Sequence, residues 1–428
     1  MALYLKNAKY LDWQTFAITA GHLLVEEGVD GTVSSITQIP GKSELPAGDR
    51  VIDCQDRLVT KSFGCGHHHI YSTLARGMPA PKKIPTNFQE ILTYIWWTVD
   101  KCLDLEMIEA SALASALYCA KNGVTFVIDH HASPYAIEGS LATIAKAFDK
   151  VGLSHLLCYE LSDRDGQAIA AAGLAEHESY LSTGGQGHVG LHASFTVGDD
   201  LLTRAVELAA KYNTGLHVHV AEDKSDQDAC LKDHGKRVVQ RYADAGALAL
   251  PQTMLVHCIH LDESEKELVR ANGSWVTENI ESNQNNNVGQ ANYGQITDKV
   301  MLGTDGMHCD MLRSAKVAFL SGQPLEGVGM DTIYQRFRNV HHYIQQSGFS
   351  GDGDNNLVIL DYDSPTEVTS DNFIGHFIYG LDSRHVDTVI SNGKVIVEHG
   401  LVTNVDEKEI LAYACEMSNK LWKKMQES

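Results

Sequence analysis

Eight short apolar runs that alternate with longer amphipathic stretches are the feature that most restricts the fold of this chain. Each run has the length and composition of a strand buried on both faces, and helical periodicity follows most of them. This repeated order predicts a parallel sheet, and eight repeats predict a closed (β/α)8 barrel, the TIM-like α/β fold. The predicted barrel strands cover residues 58–66, 124–130, 154–160, 188–193, 215–220, 253–257, 274–277 and 300–304.

The two ends of the chain differ from the barrel segment. Short alternating apolar runs precede residue 57 and return at 356–398, where Asn392-Gly393 is typical of a hairpin turn. We expect these ends, residues 1–57 and 351–428, to pair into one small β-sandwich domain that includes a C-terminal helix. The barrel domain then spans 58–350. Helices are predicted at 105–122, 137–151, 200–212, 235–245 and 407–426.

Composition excludes several classes of protein. The 428 residues include 55 acidic and 34 basic side chains, a formal charge of −21, so nucleic acid and anionic membrane surfaces are poor partners. No apolar run reaches the length of about 18 residues that a membrane span needs, and the first residues do not resemble a signal peptide. Nine cysteines lack paired spacing, which favours a cytoplasmic protein with reduced thiols. We also expect a homo-oligomer, a dimer.

Titratable residues are concentrated where the predicted strands end. Active sites of (β/α)8 barrels lie at the C-terminal ends of the strands. Strand 1 ends in His67-His68-His69, and residues two apart on extended backbone point the same way. His67 and His69 are therefore predicted to share one metal ion. The other strand ends carry His130, His131, His192, His217, His219, Glu222, His257 and Asp305.

These residue types indicate a metal site. Three imidazoles and one carboxylate suit a borderline divalent ion, Zn²⁺ with Fe²⁺ as the alternative. No lysine ends strand 3, 4 or 5 to become a carbamylated bridge between two metals, so one ion is favoured. For any single residue the alternative is a hydrogen-bonded core histidine or a turn aspartate. Burying so many titratable groups at one barrel end without a metal or partners would be costly.

The order of the motifs resembles the amidohydrolase superfamily, in particular its cytosine deaminase and chlorohydrolase group. His-x-His, His-x-x-Glu, His and Asp follow strands 1, 5, 6 and 8. The likeness is strongest to SsnA-type aminohydrolases and related guanine, 8-oxoguanine and isoxanthopterin deaminases. It spans nearly the whole chain. Its main segments are HHHIYSTLARG at 67–77, VIDHHASP at 127–134, HASFTV at 192–197, GLHVHVAED at 215–223, SNQNNNVG at 282–289, LGTDG at 302–306 and LVILDYDSP at 357–365.

The resemblance implies a role for each motif residue. The implied metal ligands are His67, His69, His219 and Asp305. His219 is preferred to His217 because only His219 has a glutamate three residues later.

Other residues are expected to act on the substrate. The resemblance implies that Glu222 is the proton shuttle, that His257 orients the attacking hydroxide or polarises the substrate, and that His192 contacts the substrate. We also predict substrate contacts from Arg76 and His131, with a structural salt bridge and loop packing as their respective alternatives.

The implied reaction is hydrolytic deamination of an aminated purine- or pterin-like ring by a metal-dependent hydrolase. Asp305 takes a proton from water, the hydroxide attacks the carbon bearing the amine, and Glu222 protonates the adjacent ring nitrogen before ammonia leaves. Ring opening of a cyclic amide and chloride displacement by the same site are alternatives. A further alternative is a non-catalytic barrel that only binds a ligand, and the presence of both Glu222 and Asp305 argues against it.

Three features leave the substrate or the local structure open. Glu281 occupies a position where SsnA-type sequences usually have a basic residue, and Lys61-Ser62 replaces the usual Pro-Gly before the first histidines. The link at 351–354 is shorter than usual.

Trp96-Trp97 is predicted to pack in the core rather than to form an aromatic pocket wall. The asparagines at 283 and 285–287 are predicted to serve in turns and caps rather than to contact the substrate.

Overall fold

Residues from both ends of the chain form one mixed sheet. A computed structural model of the protein describes residues 2–41 and 45–427. The N-terminal part supplies β1 (Ala2–Leu11), β2 (Ile18–Glu26), β3 (Val33–Ile36), β4 (Arg50–Asp53) and β5 (Leu58–Lys61).

The central part of the chain forms the parallel strands of a barrel. These are β6 (Phe63–His68), β7 (Val124–Asp129), β8 (Ser154–Leu156), β9 (Glu160–Leu161), β10 (Val189–Leu191), β11 (Leu216–Val220), β12 (Met254–His257), β13 (Trp275–Glu278) and β14 (Val300–Leu302). β8 pairs with β7 and β9 pairs with β10, so β8 and β9 are two halves of one barrel position. The predicted eight strand positions are therefore all present.

Backbone hydrogen bonds complete the circle between the last strand and the first. Beyond the end of β14, the Thr304 amide donates to the His67 carbonyl at 2.8 Å, and the His69 amide donates to the Asp305 carbonyl at 3.3 Å. At the divided position, Leu157 bridges to Gly187. The strand ends that carry the histidines are thereby joined directly to one another.

The C-terminal part returns to the first sheet. Its strands are β15 (Leu357–Leu360), β16 (Val386–Ser391), β17 (Lys394–Glu398) and β18 (Leu401–Val402). The nine strands lie in one hydrogen-bonded sheet, in which β15 pairs with β5 and links the two chain ends. The predicted hairpin at Asn392-Gly393 joins β16 to β17.

One predicted barrel strand is divided between the two sheets. The run at 58–66 was expected to be a single strand, but β5 pairs with β1 and β15, and only β6 enters the barrel. The division falls at Lys61-Ser62, because the Lys61 ammonium binds the carbonyls of Asp352 and Gly353 at 2.6 Å each. The short 351–354 link is thus held by Lys61. The division of domains at residue 57 stays a prediction.

Helices follow most of the barrel strands and close the chain. They are α1 (Phe88–Ile91), α2 (Trp97–Cys102), α3 (Leu105–Lys121), α4 (Ser140–Val151), α5 (Gln167–Ser182), α6 (Asp199–Lys211), α7 (Lys224–His234), α8 (Val238–Asp244), α9 (Glu263–Asn272), α10 (Ile280–Asn285), α11 (Met311–Glu326), α12 (Met330–Ser347), α13 (Phe373–Tyr379) and α14 (Glu407–Glu427). Side-chain caps set several of their starts, as where Asp104 accepts from the Met107 amide. Across residues 2–41 and 45–427, we find no helix with both the length and the apolarity of a membrane span.

We expect Gly190→Ala to destabilise the barrel. A Cβ at this position in β10 would lie 2.4 Å from the Tyr159 carbonyl oxygen and 2.8 Å from the Cys158 sulfur, and backbone cannot easily move away. The free energy of unfolding should fall by about 1–3 kcal/mol in denaturant melts. Gly21→Ala is the matched control, because its Cβ would have no neighbour within 4 Å. Equal stability of the two variants would contradict this packing.

Candidate metal centre and active site

The candidate ligands lie where the barrel strands end, and tight backbone turns bring them inward. His67 lies in β6 and His219 in β11, while Asp305 follows β14. Asp305 has φ 52° and His257, the last residue of β12, has φ 71°. Non-glycine residues in this left-handed region are strained by about 1–3 kcal/mol and are found often at functional sites.

Four side chains converge on one point. The possible ligand atoms of His67, His69, His219 and Asp305 all lie within 4.8 Å of one another. Asp305 Oδ1 is 2.9 Å from His69 Nε2 and 3.4 Å from His67 Nε2. His219 Nε2 is 3.3 Å from His69 Nε2. The structure therefore brings together the four predicted metal ligands.

Hydrogen bonds on the far side of each imidazole fix its orientation. His69 Nδ1 donates to the His130 carbonyl at 2.6 Å, and His219 Nδ1 donates to the His192 carbonyl at 2.8 Å. Because a carbonyl only accepts, each ring carries a proton on Nδ1 and presents its Nε2 to the common point. This is the arrangement that metal-binding histidines usually have.

His217 supports His67 from behind. His217 Nε2 is 2.8 Å from His67 Nδ1, and His217 Nδ1 is 3.5 Å from the sulfur of Cys158. The Cys158 thiol donates in turn to the Asp129 carbonyl. With His67 Nδ1 as donor, each of these groups has a partner and His67 Nε2 is left for a metal.

The protonation states fit a cation. Burial lowers the pKa of His67 to about 3, and burial together with neighbouring imidazoles places the pKa of His219 well below its usual range. Both are therefore neutral, as ligands must be. Burial opposes the charge on His69, but the Asp305 carboxylate raises the pKa of this ring to about 9, so His69 would give up a proton on binding an ion. Burial also opposes the charge on Asp305, but the neighbouring imidazoles of His67, His69 and His257 hold the pKa of that carboxyl well below its usual range.

Orphaned nitrogen atoms support the same conclusion. His67 Nε2 and His257 Nε2 are buried, and neither makes a hydrogen bond within the part of the chain that the structure describes. Leaving such atoms unpaired costs about 1–3 kcal/mol each. A divalent ion among the three imidazoles and the carboxylate would remove this cost for His67. The residues present therefore fit the predicted ion.

A second group of possible ligands shares His219. The ligand atoms of His130, Glu160 and His219 also lie within 4.8 Å of one another. His219 Nδ1 is already bonded to a carbonyl and its Nε2 faces His69, so His219 can serve one ion only. This favours a mononuclear site.

Glu222 and His257 lie beside the ligand cluster. His257 Nε2 is 3.5 Å from Glu222 Oε2 and 4.0 Å from Asp305 Oδ2. Burial and the nearby charge of Asp305 raise the pKa of Glu222 to about 7, although His257 opposes the shift. Two carboxyl groups in one pocket thus differ in protonation, as an acid and a base must.

Helix α10 positions three of these residues, a role that the sequence interpretation missed. Asn283 Oδ1 lies 2.8 Å from His257 Nδ1, and the Ser282 hydroxyl donates to Asp305 Oδ2. Asn286, just after the helix, donates to Glu222 Oε1 at 3.3 Å. The asparagine-rich segment was expected to form turns and caps. Its register on a helix, where residues three and four apart share a face, was the signal that could have identified it.

Glu281 also has a structural explanation. Its carboxylate accepts hydrogen bonds from His308 and from Arg313, the latter at 2.8 Å. Both partners follow β14, so Glu281 links α10 to the segment after Asp305. These two partners compensate for the acidic residue at this position.

A pocket of about 780 Å³ opens above the ligand cluster. His192 lines it, with its Nδ1 held 2.6 Å from the Thr196 hydroxyl. Contrary to the core assignment, Trp96 and Trp97 are part of the pocket wall. The other lining residues that carry aromatic, apolar or charged side chains are Tyr71, Phe88, Leu92, Phe195, Met307, Glu160, Arg164, Glu222, Asp223 and Asp226.

Two predicted substrate contacts lie outside this lining. The Arg76 guanidinium is exposed and stacks over Tyr118 at 4.9 Å. His131 is buried, with its Nε2 2.9 Å from the Ser133 hydroxyl. The structure thus places the Arg76 guanidinium on an aromatic ring and the His131 ring against a loop hydroxyl, and the substrate contacts of both residues stay predictions.

Comparison with known proteins agrees with this geometry. The model of the amidohydrolase family matches residues 59–333. A 5-methylthioadenosine/S-adenosylhomocysteine deaminase from Pelotomaculum thermopropionicum is 27% identical, over 93% of this chain and 96% of its own. A 5'-deoxyadenosine deaminase from Methanobrevibacter smithii is 26% identical, over 95% of both chains.

Solved structures agree on the fold. A zinc-bound adenosine deaminase from Xanthomonas campestris superposes with a TM-score of 0.81 at 17% identity, covering 98% of each chain. A zinc-bound atrazine chlorohydrolase from Arthrobacter aurescens gives a TM-score of 0.81 at 15% identity, covering 97% of this chain and 100% of its own.

The fold and the site together define a metal-dependent barrel hydrolase. More particularly, the chain belongs to the amidohydrolase family, because the family model covers well over half of it. The barrel fold and the family predicted from the sequence are therefore confirmed.

We expect the purified protein to bind one divalent ion per chain, measured by elemental analysis after dialysis. His219→Ala should reduce the bound metal severely, because it removes one of three imidazoles. His192→Ala is the matched control: its ring lies in the same pocket but outside the four-ligand group, so its metal content should stay near one. Two ions per chain, or full metal content in His219→Ala, would contradict the site.

Proposed function

We propose that this protein is an aminohydrolase that uses one zinc ion to deaminate an aminated purine- or pterin-like ring. The names of its relatives confirm the broader prediction, a metal-dependent hydrolase that deaminates an aminated heterocycle. The single observation that carries the proposal is the placement of Glu222 and Asp305, 3.5 and 4.0 Å from His257 Nε2, beside the imidazoles of the four-ligand group. The pKa of Glu222, raised to about 7, and that of Asp305, held low, support it.

The metal would be held by His67, His69, His219 and Asp305. When bound, such an ion lowers the pKa of water to about 7 and so supplies hydroxide at neutral pH. Zinc is proposed because it suits three imidazoles and a carboxylate.

Side chains of the protein then transfer the protons. Asp305 Oδ2, which accepts from Ser282, lies on the side of the carboxylate that faces His257, and Asp305 is the base that takes the proton from water. Glu222, protonated near neutral pH, gives its proton to the ring nitrogen next to the carbon under attack. The same carboxylate can carry a second proton to the departing amine.

His257 acts on the oxygen that forms at the reacting carbon. Asn283 fixes its Nδ1, which leaves Nε2 directed between Glu222 and Asp305. A preorganised group at this position stabilises developing charge without moving during the reaction. Collapse of the tetrahedral carbon then releases ammonia and leaves a carbonyl.

We expect Glu222→Gln to retain its metal and to lose about 10²–10⁴-fold in kcat, because an amide cannot donate the proton. The measurement is ammonia release from a panel of aminated heterocycles, with metal analysis of the same sample. Glu178→Gln makes the same change at an exposed residue of α5 that pairs with Lys211, outside the pocket lining. This control should keep most of its activity; near-normal turnover by Glu222→Gln would remove the shuttle assignment.

We expect Asn283→Ala to reduce kcat about 10–100-fold while KM and metal content change little, because His257 loses the partner of its Nδ1. Steady-state kinetics with metal analysis would measure this. Gln284→Ala is the matched control on the same helix, since the exposed Gln284 side chain donates to the Ser321 hydroxyl at the protein surface. A loss of the same size in both variants would mean that α10 is merely destabilised.

The same panel distinguishes the alternative reactions. Ring opening changes the ultraviolet spectrum and mass of the product without ammonia, and a chlorohydrolase releases chloride. Metal-loaded protein that releases neither ammonia nor chloride, and opens no ring, would refute the proposed function.

A further inference from the structure

One wall of the pocket holds a carboxylate without a hydrogen-bond donor. Glu160, the first residue of β9, lines the pocket, and its side chain is only 4% exposed. Its nearest polar neighbours are the Arg164 guanidinium, with Nη2 at 3.4 Å, and the His130 ring, with Nδ1 at 3.6 Å. Burial and the surrounding imidazoles place the pKa of His130 well below its usual range, so only Arg164 is a cation. No hydrogen bond to its carboxylate is found among residues 2–41 and 45–427. A carboxylate this buried needs donors, and the pocket is the open side from which a ligand can supply one.

Unused donors lie next to this carboxylate. Arg164 lines the same pocket, and its Nη1 is buried without a partner in the described part of the chain. The Arg164 guanidinium lies 5.0 Å from the ring centroid of Trp97. Trp97 Nε1 is likewise buried and has no hydrogen-bond partner among the described residues. One acceptor and two donors are thus unsatisfied together on one wall.

A single side chain, that of His130, separates this wall from the metal ligands. His130 Nδ1 is 3.6 Å from Glu160, and the centroid of the His130 ring is 4.6 Å from the centroid of the His219 ring. On the other side, the Trp97 ring is 6.0 Å from the ring of His192. A heterocycle placed with its amine-bearing carbon at the metal would therefore direct one of its edges toward this wall.

The charges of the wall disfavour an anionic ligand. Arg164 is ion-paired with three carboxylates, those of Asp100, Glu160 and Asp165. Lys101 binds Asp165 at 2.8 Å, so that three negative groups face two positive ones. The guanidinium is thus neutralised and cannot serve as a phosphate or carboxylate site. The ligand that suits this wall is neutral.

We propose, on the basis of the proposed function, that Glu160 and Arg164 recognise a lactam edge of the substrate ring, an N–H next to a C=O. Glu160 accepts the ring N–H and Arg164 donates to the carbonyl oxygen, with the Trp97 indole as an additional donor. An oxo-substituted aminopurine or pterin offers this edge. The ring nitrogens of an adenine nucleoside are acceptors only, so its ring would leave Glu160 unpaired, which is how a polar site rejects the wrong ligand.

The test compares two rings that differ only at this edge. Guanine and 2-aminopurine carry the same amine, but only guanine has the adjacent C=O and N–H. For the metal-loaded wild type we expect kcat/KM for guanine to exceed that for 2-aminopurine at least about 100-fold. In Glu160→Gln the ratio should fall by about 10-fold or more, because the charged acceptor is lost.

Controls and a binding measurement distinguish a loss of substrate recognition from a loss of folded structure. Glu178→Gln makes the same change at an exposed residue of α5 that pairs with Lys211, and it should keep the wild-type ratio. Trp97→Phe keeps an aromatic ring at this position, although a smaller one, and removes the indole N–H. Calorimetric binding of hypoxanthine, which has the lactam but no amine, should weaken in Glu160→Gln and stay unchanged in Glu178→Gln.

The outcomes distinguish this inference from the proposed function. Ammonia release from adenosine or 2-aminopurine at rates equal to guanine, with the same ratio in Glu160→Gln, would overturn the lactam inference and leave the deaminase intact. If no member of the panel, adenosine included, released ammonia from metal-loaded protein, the proposed function itself would fail. Selective loss with guanine alone, in folded Glu160→Gln, supports both.

Discussion

The hydrogen bonds from ring nitrogens to backbone carbonyls at the barrel rim are the interactions on which the site depends. His69 is held by the carbonyl of His130 and His219 by the carbonyl of His192. Those carbonyls belong to the residues that follow β7 and β10, the neighbouring strand ends. The orientation of the ligands is therefore a consequence of strand pairing. Any shift in register that moved a carbonyl would rotate an imidazole away from the common point.

The same constraint explains which parts could be predicted from the sequence. Strand ends are local features, so His67, His69, His219 and Asp305 were identified from short motifs, and their shared location follows from the barrel. The division of the first strand at Ser62 was not predictable in this way. It depends on Lys61 binding the carbonyls of residues 352 and 353, almost 300 residues later in the chain. Periodicity carries no information about such a contact.

Side-chain contacts between loops account for the other differences between the sequence predictions and the structure. Arg76 stacks on Tyr118 of α3 rather than entering the pocket, and nothing in its neighbouring sequence indicates that partner. The segment of α10 shows the opposite case. Its asparagines have the composition of turns and caps, but Asn283 in the helix and Asn286 just after it hold His257 and Glu222. Ser282 of the same helix donates to Asp305. Glu281, on the same helix, binds His308 and Arg313 and so connects two consecutive loops.

The environments of the carboxyl groups in one pocket differ enough to divide the work among them. The imidazoles around Asp305 hold its pKa low and keep it ionised, whereas burial and the charge of Asp305 raise the pKa of Glu222 to about 7. Glu160 is a third case: the Arg164 guanidinium and the neutral His130 ring lie 3.4 and 3.6 Å away, but neither makes a hydrogen bond to it. The same functional group, a carboxyl, thus serves as proton acceptor, proton donor and recognition group in three different environments. Because each setting is made by residues from different strands, the chemistry is a property of the assembled barrel rim rather than of any one motif.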